Sequence, residues 1–334
     1  LVSGLENSAP RRHDRAWFNS RLADTTPYRK IVGREKIDPL SYLIARAHGK
    51  GLKVQAWLNM FRIGKDKKAP VLKRLGKDII TRDGSNRSLL DYPPGDLPDG
   101  GYWLDPGDKA VRSYLRNIIL DLLKKYPNLD GIHLDFTRYP HRSAAHAGSY
   151  WAKRNDLGYG KESVERFEKW TSLNPMKMEL SRENCQAWDN WRRYQLNSFV
   201  ESVYSLVRKV KPGIPVSVAV VAWADRAYLT NFQDWRRWLE EGTVDFVAVM
   251  NYSTDPRLAG YLTRTAQAAR GKRKVYTGLG AYLLAGKPDA LFEQIEDALE
   301  AGSAGIVLFS YDAMLKEPSI FPKLKKKFFA SPAK

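Results

Sequence analysis

One cysteine, Cys185, is all the thiol chemistry in this 334-residue chain. It excludes an intrachain disulfide and any metal site built from several thiolates, although it does not fix the compartment. No apolar run reaches the roughly 18 residues that a membrane-spanning helix needs. Carboxylates are also in short supply: 37 Asp and Glu face 55 Lys and Arg, leaving a formal charge of +18. Such a field attracts nucleic acid, anionic lipid or an anionic polysaccharide, and is too easily screened to choose among them. Several signatures are missing outright. No GxGxxG follows a strand and no P-loop occurs, which argues against an open nucleotide-binding sheet. No HExxH offers a metal and no GxSxG offers a serine nucleophile. His141 and His146 lack a metal spacing and read as solvent-facing loop residues. The chain opens on Leu1-Val2-Ser3 rather than Met. This resembles the tail of a strand, so a preceding segment is expected, in which a signal peptide would lie out of view.

What the chain does have is a 43% hydrophobic content, enough for a sizeable core, laid out as alternating helices and strands. Residues 1 to 36 are hard to read; Trp17 and Phe18 suggest a short buried segment and Asn19-Ser20 a turn. Asp38-Pro39 opens a helix with an N-cap acid and Pro at the first position, and a strand follows over 52–60. Residues 61 to 101 read as a long loop. Asp105-Pro106 then reads as the cap of a helix running to about Tyr126, and a strand begins at Asp130. A second excursion, 140 to 180, contains a short helix over 163–170. A long amphipathic helix from about Asn184 to Val210 leads into strands at 215–223, 244–252, 274–282 and 305–311. The helices between them start near Trp235, Pro256 and Asp289, and a short basic helix closes the chain.

Near-continuous apolar strands in strict alternation with helices indicate a parallel sheet covered on its faces. Six strands from residue 52 onward, with Leu1-Val2-Ser3 as the end of a seventh and an eighth from a preceding segment, predict a single-domain (β/α)8 TIM barrel. It lacks its first strand and carries long loops after the third and fourth.

Function in such barrels collects at the C-terminal ends of the strands. There the sequence places Trp57, Asn59 and Arg62; Asp135, Arg138 and Tyr139; Trp223 and Asp225; Asn251, Tyr252 and Asp255; Tyr282; and Tyr311 with Asp312. Asp105 lies near the same rim. The centre of this inventory is Asp130-Gly-Ile-His-Leu-Asp-Phe-Thr-Arg-Tyr-Pro140. His133 and Asp135 share one face of the strand, and Ile132, Leu134 and Phe136 the other. A carboxylate ending an apolar strand is costly to bury without a partner. It either caps a turn or pairs with Arg138, or it performs chemistry at the mouth of the barrel. The aromatic and amide company suits a sugar, whose C–H faces stack on rings. Glycosidic hydrolysis needs two groups across the bond. Asp135 is the first choice and Asp225 the second, although Asp225 could equally pair with Arg226. Asp255 and Asp312 read more simply as helix caps. Trp188, Trp191 and Tyr194, interleaved with Arg192 and Arg193, could offer a nucleic-acid surface but fit better as a helix face packed under a loop. Lys323 to Lys327 fit a solvated helix end favoured by the macrodipole.

The order VQAWLNMFR, LDPGDKAVRSYL, DGIHLDFTRYP, then WRRYQLNSFVESVYSLVRKVKP and the pattern from Trp238 to Tyr252, resembles the bacterial glycosyl-hydrolase-like family 10 proteins. One departure is Met60, where the family has Pro after Asn59. The resemblance implies a TIM-barrel glycosidase of bacterial cell envelopes or secretions, and a family relative cuts peptidoglycan glycan strands that have lost their stem peptides; no cofactor and no metal is expected. It carries over Asp135, Arg138, Tyr139, Asn59, Arg62, Asp105, Asn251 and Tyr252 as site residues. Trp57, Trp223 and Tyr311 join them as substrate contacts from their strand-end positions. A denuded strand bears lactyl carboxylates, so the expected partner is an anionic glycan, with association at anionic surfaces and no specific nucleic acid. The expected setting is exported: periplasmic, envelope-bound or secreted. A carbohydrate-binding barrel that has lost catalysis is the alternative.

Overall fold

A computed structural model describes residues 15–141 and 156–329. Leu1-Val2-Ser3 and His146 lie outside them. The described residues contain six strands: β1 (Gln55–Asn59), β2 (Gly131–Asp135), β3 (Val216–Val221), β4 (Phe246–Asn251), β5 (Lys274–Gly280) and β6 (Ile306–Phe309). They pair in parallel and in chain order, as right-handed strand–helix–strand crossovers produce. The helices are α1 (Thr26–Glu35), α2 (Pro39–His48), α3 (Pro70–Leu75), α4 (Lys109–Lys125), α5 (Lys161–Thr171), α6 (Arg182–Val210), α7 (Ala224–Thr230), α8 (Trp235–Glu240), α9 (Pro256–Ala268), α10 (Pro288–Glu300), α11 (Tyr311–Leu315) and α12 (Ile320–Phe328).

The period-2 pattern gives the sheet two faces. Ile132, Leu134, Val216, Val218, Val220, Val247 and Val249 are fully buried and share a core with Leu115 and Ile119 of α4 and Phe199 and Val203 of α6. Each such side chain contributes roughly 1.5–3 kcal/mol on leaving water, which fixes the strand register. The opposite face is more polar. The His133 ring nitrogen Nδ1 lies 2.8 Å from Ser217 Oγ on the neighbouring strand, and burial lowers the imidazole pKa to about 4, so the ring is neutral at pH 7. The sheet curls around this face. Trp57 of β1 meets Phe309 of β6, at the far edge of the sheet, with ring centroids 5.7 Å apart. β2 is buried along its whole length, whereas every residue of the edge strands β1 and β6 is only half-buried. The architecture is a curled half-barrel of the TIM type.

The local differences have physical reasons. Asp38 caps α2 as expected, accepting from the Leu40 and Ser41 amides. Asp108, not Asp105, caps α4, accepting from the Val111 amide, which leaves Asp105 free for other bonds. Residues 61 to 101 are not a plain loop. They hold α3, and Arg62 and Ile80 bridge to Trp103 and Leu104. Polar composition hid α1, and the shortness of α3 and α7 left no period to read.

Candidate active site

Asp135 ends β2 beside its register partner Asn59. Phe136 then turns into the left-handed region, φ 48°. That turn brings the Phe136 amide to 2.6 Å from Asp135 Oδ1. The Trp57 indole N–H donates to Oδ2 at 3.1 Å. Burial pushes the Asp135 pKa up. The Phe136 amide, Arg138, the Trp57 indole and Arg62 pull it back without cancelling the rise. A carboxyl group in this state holds its proton to higher pH than an ordinary Asp, which suits a general acid.

Around it stands a ring of aromatics from four strand ends. Tyr252 stacks on Phe309 at 5.5 Å and 17°. Tyr282 meets both edge-on, at 5.9 and 6.0 Å. Trp57 belongs to the carboxylate and to the ring alike, through its N–H and its edge. The Tyr252 hydroxyl has its pKa raised by burial and then by the negative charge of Asp135, so it stays protonated and remains a donor at neutral pH. Phe309 was not anticipated, because an apolar residue in a strand carries no sign of lining a mouth.

A second group of charged residues is linked to Asp135 through Arg62 and Arg138. Arg138 is buried, pairs with the Asp99 carboxylate at 3.1 Å, and lies over the Trp103 and Phe136 rings at 4.9 and 5.3 Å. Arg62 donates through Nε and Nη2 to the Asp99 carbonyl at 3.0 and 2.7 Å. Asp99 has φ 51°, a conformation that Asp tolerates better than most residues. Burial is the largest single influence and raises its pKa, but Arg138 and His141 together bring the net shift downward. Sequence reading missed Asp99; the only signal was the turn Pro98-Asp99-Gly100-Gly101. The Asp99 carboxylate also accepts the His141 amide at 3.1 Å. His141 is not a solvent-facing residue: Asn231 Nδ2 donates to its Nδ1 at 3.1 Å, and burial and Arg138 lower its pKa to about 4.

Other expected contacts are placed elsewhere. Asp105 is 1% exposed and accepts four hydrogen bonds. Gly107 N (2.9 Å) and Ser163 Oγ (2.5 Å) reach Oδ1; Thr81 Oγ1 (2.9 Å) and Gly160 N (3.0 Å) reach Oδ2. It clips the start of α4 to α5 rather than facing a ligand. Gly107 and Gly160 permit this, since a Cβ on either would lie 1.8 Å from Ser163 Oγ or 2.5 Å from the Asp105 carboxyl carbon. Tyr139 is buried, its ring edge-on to Phe232 at 5.3 Å. Asn251 turns outward and donates to Ala259 O and Thr263 Oγ1 of α9 at 2.7 and 3.0 Å. Asp225 is exposed on α7 and paired with Arg236 at 2.5 Å; among the described residues no hydrogen bond or ion pair joins it to Asp135. Asp255 caps α9, accepting from the Arg257 and Leu258 amides. Trp223 and Tyr311 are half-exposed at the starts of α7 and α11. Trp188 and Trp191 pack with Phe167 and Tyr159, while Tyr194 faces solvent.

Parallel strands curled around a polar face, with a carboxylate at a strand's C-terminal end, define a TIM-barrel architecture of the glycosidase type. The chain belongs to the glycosyl hydrolase-like 10 family, whose profile matches residues 11–290. It is similar to glycosyl hydrolase DigH of Escherichia coli K12, 24% identical over 241 residues, covering 67% of this chain and 48% of that protein. Glycosyl hydrolase YngK of Bacillus subtilis 168 is 22% identical over 236 residues, covering 64% of this chain and 39% of that protein. The chain thus spans half or less of the length of these curated relatives. Among solved structures, the PgaB (BpsB) glycoside hydrolase domain from Bordetella bronchiseptica superposes with TM-score 0.65 at 14% identity, covering 95% of this chain and 85% of that one. A β-galactosidase from Marinomonas ef1 gives TM-score 0.55 at 10% identity, covering 81% and 46%. At such identities these neighbours establish the fold.

Proposed function

We propose that this chain hydrolyses glycosidic bonds in a carboxylate-bearing amino-sugar polymer, namely denuded peptidoglycan glycan strands, in an exported setting. Asp135 is its general acid/base. The observation that carries the reading is the state of Asp135: buried at the end of β2, raised in pKa, and flanked by rings that a pyranose can stack on. In its protonated form it gives its proton to the leaving glycosidic oxygen, and the bond from that oxygen to the anomeric carbon breaks. The opposite role, taking a proton from the water whose oxygen bonds the anomeric carbon or bonding that carbon directly, asks for a carboxylate that is already ionised. Asp99, with its pKa lowered by Arg138, meets that need better than the exposed Asp225, because Arg138 acts on both Asp99 and Asp135. Family membership supports the reaction class, and the charge of +18 supports an anionic substrate.

Purified protein incubated with amidase-treated peptidoglycan should release new reducing ends. Asp135→Asn should lower the rate by roughly 10²–10⁴-fold, the usual contribution of a positioned acid or base. No release by the wild type, or equal release by the variant, rejects the proposal.

A further inference from the structure

A second aromatic surface lies outside the curled sheet. Trp170 of α5 is 64% exposed and Tyr194 of α6 is 48% exposed. Their rings are 5.6 Å apart and tilted by 49°. Trp170 also rests on the buried Trp191, 5.3 Å away. Large exposed apolar rings are ordinary when scattered, but two in contact on a fixed floor form a patch that asks for a ligand.

Two guanidinium groups stand beside the patch, with a third one turn further along α4. Arg166 lies 5.1 Å from the centre of the Trp191 ring. Arg166 and Arg112 both donate to Gln195 Oε1, at 3.2 and 3.1 Å. The third is Arg116, and both Arg166 and Arg116 act on Arg112 as like charges. Among the described residues no carboxylate lies within ion-pair distance of these three, though Glu162 acts on Arg166 from further off. Like charges held together without counter-ions favour an anion between or above them. The location is also informative. α4 and α6 run back antiparallel to β2 and β3, so their N-terminal portions, which carry Arg112, Arg116 and Tyr194, lie level with the strands' C-terminal ends, on the flank of the same rim.

We propose that Trp170 and Tyr194, with Arg112 and Arg166 beside them and Arg116 a turn beyond, form a second glycan-binding surface. It holds a carboxylate-bearing sugar polymer on the flank of the rim, apart from the site at Asp135. The identity of the polymer rests on the function proposed above. Sugar C–H faces stack on the two rings, and the sugar carboxylate meets the arginines. A single-stranded nucleic acid fits less well, since it stacks successive bases on a longer track of rings along a basic groove.

The test uses long denuded peptidoglycan strands, the same strands with their lactyl carboxylates methyl-esterified, and a tetrasaccharide cut from them. Trp170→Ala is the main variant, because a ring this exposed can be removed without disturbing the core; Arg116→Gln is the second. Wild type should bind long anionic strands at least tenfold more tightly than either variant and tenfold more tightly than the esterified strands. Turnover of the tetrasaccharide should be unchanged in both variants. Asp135→Asn should keep the binding and lose the turnover. If wild type cleaves strands but Trp170→Ala binds and cleaves long strands equally well, the second surface is refuted and the proposed function stands. If wild type neither binds nor cleaves any strand, both fail. Tighter, Trp170-dependent binding of an oligo-dT probe would make this a nucleic-acid surface and overturn the proposal. A dimer that Trp170→Ala dissociates in sedimentation would make it a contact between copies, with the same consequence.

Discussion

Asp105 is where a substrate contact and a structural clip make opposite forecasts. Replacing it with Ala removes the acceptor for two backbone amides, Gly107 and Gly160, and two hydroxyls, Thr81 and Ser163. The hydroxyls can rotate to other acceptors; the amides are fixed by the chain. At about 1–3 kcal/mol for each buried donor left unsatisfied, the amides alone imply a loss of about 2–6 kcal/mol. A domain of this kind has roughly 5–15 kcal/mol in total. One effect runs the other way. Burial is the largest influence on Asp105 and raises its pKa against its four hydrogen bonds, so deleting the carboxylate relieves some desolvation. Asp105→Asn separates the two effects. It keeps the shape and one oxygen but points an NH2 at one amide–hydroxyl pair, donor against donor, so it should fall close to Ala rather than to wild type. Urea unfolding followed by far-UV circular dichroism gives the midpoint and slope, with the KM for denuded glycan measured alongside. An Ala variant within about 1 kcal/mol of wild type would refute the clip, and a raised KM in that stable protein would restore Asp105 as a substrate contact.

Three further outcomes follow from the same geometry. Asp135 has its pKa raised above the ordinary 3.8, so its protonated form is the one the fold favours, and stability is lost as pH rises through the folded value. The stability of wild type relative to Asp135→Asn should therefore increase as pH falls from 7 toward 3.8; a relative stability that decreases on acidification contradicts the raised pKa. Trp57→Phe keeps a ring against Phe309 but deletes the indole N–H that stabilises the ionised carboxylate. The alkaline limb of the pH–rate profile should move to higher pH, and an unmoved limb would remove Asp135 from the proton transfer. Asp99→Asn should reduce turnover at least tenfold while Asp225→Asn stays within about twofold, since an exposed ion pair contributes about 0–1 kcal/mol; the reverse ranking would make Asp225 the second group.

Much of the fold was legible because it repeats. Six apolar strands, each following a helix that the sequence places, correspond to β1 to β6. The caps Asp38 and Asp255 were legible from their Pro neighbours. The candidate site was legible only at its anchor. Asp135 stands out because a carboxylate ends an apolar strand, and Trp57 and Tyr252 because they are polar-tipped aromatics at strand ends. Asp105 reads as a rim residue because a sequence motif looks the same whether its acid meets a ligand or four internal donors. Gly107 and Gly160 held the missing clue, but Gly160 is 55 residues away from its partner. Asp99 was invisible for a related reason: its role comes from Arg62 and Arg138, which three-dimensional folding alone brings to one turn.

The half-buried edges of the curled sheet bear on how firmly the mouth is set. Between neighbouring strands, spacing is fixed by a ladder of backbone hydrogen bonds, as stiff as the hoops of a cask. Between β1 and β6, Trp57 meets Phe309 ring against ring. Trp57 also holds Asp135. Any force that pries the two edges apart, such as a bulky sugar wedged between the rings, would therefore reach the carboxylate through one indole and loosen its hydrogen bond. The aperture and the acidity of Asp135 are then a single mechanical coordinate, and a substrate could tune the acid by how wide it opens the gap.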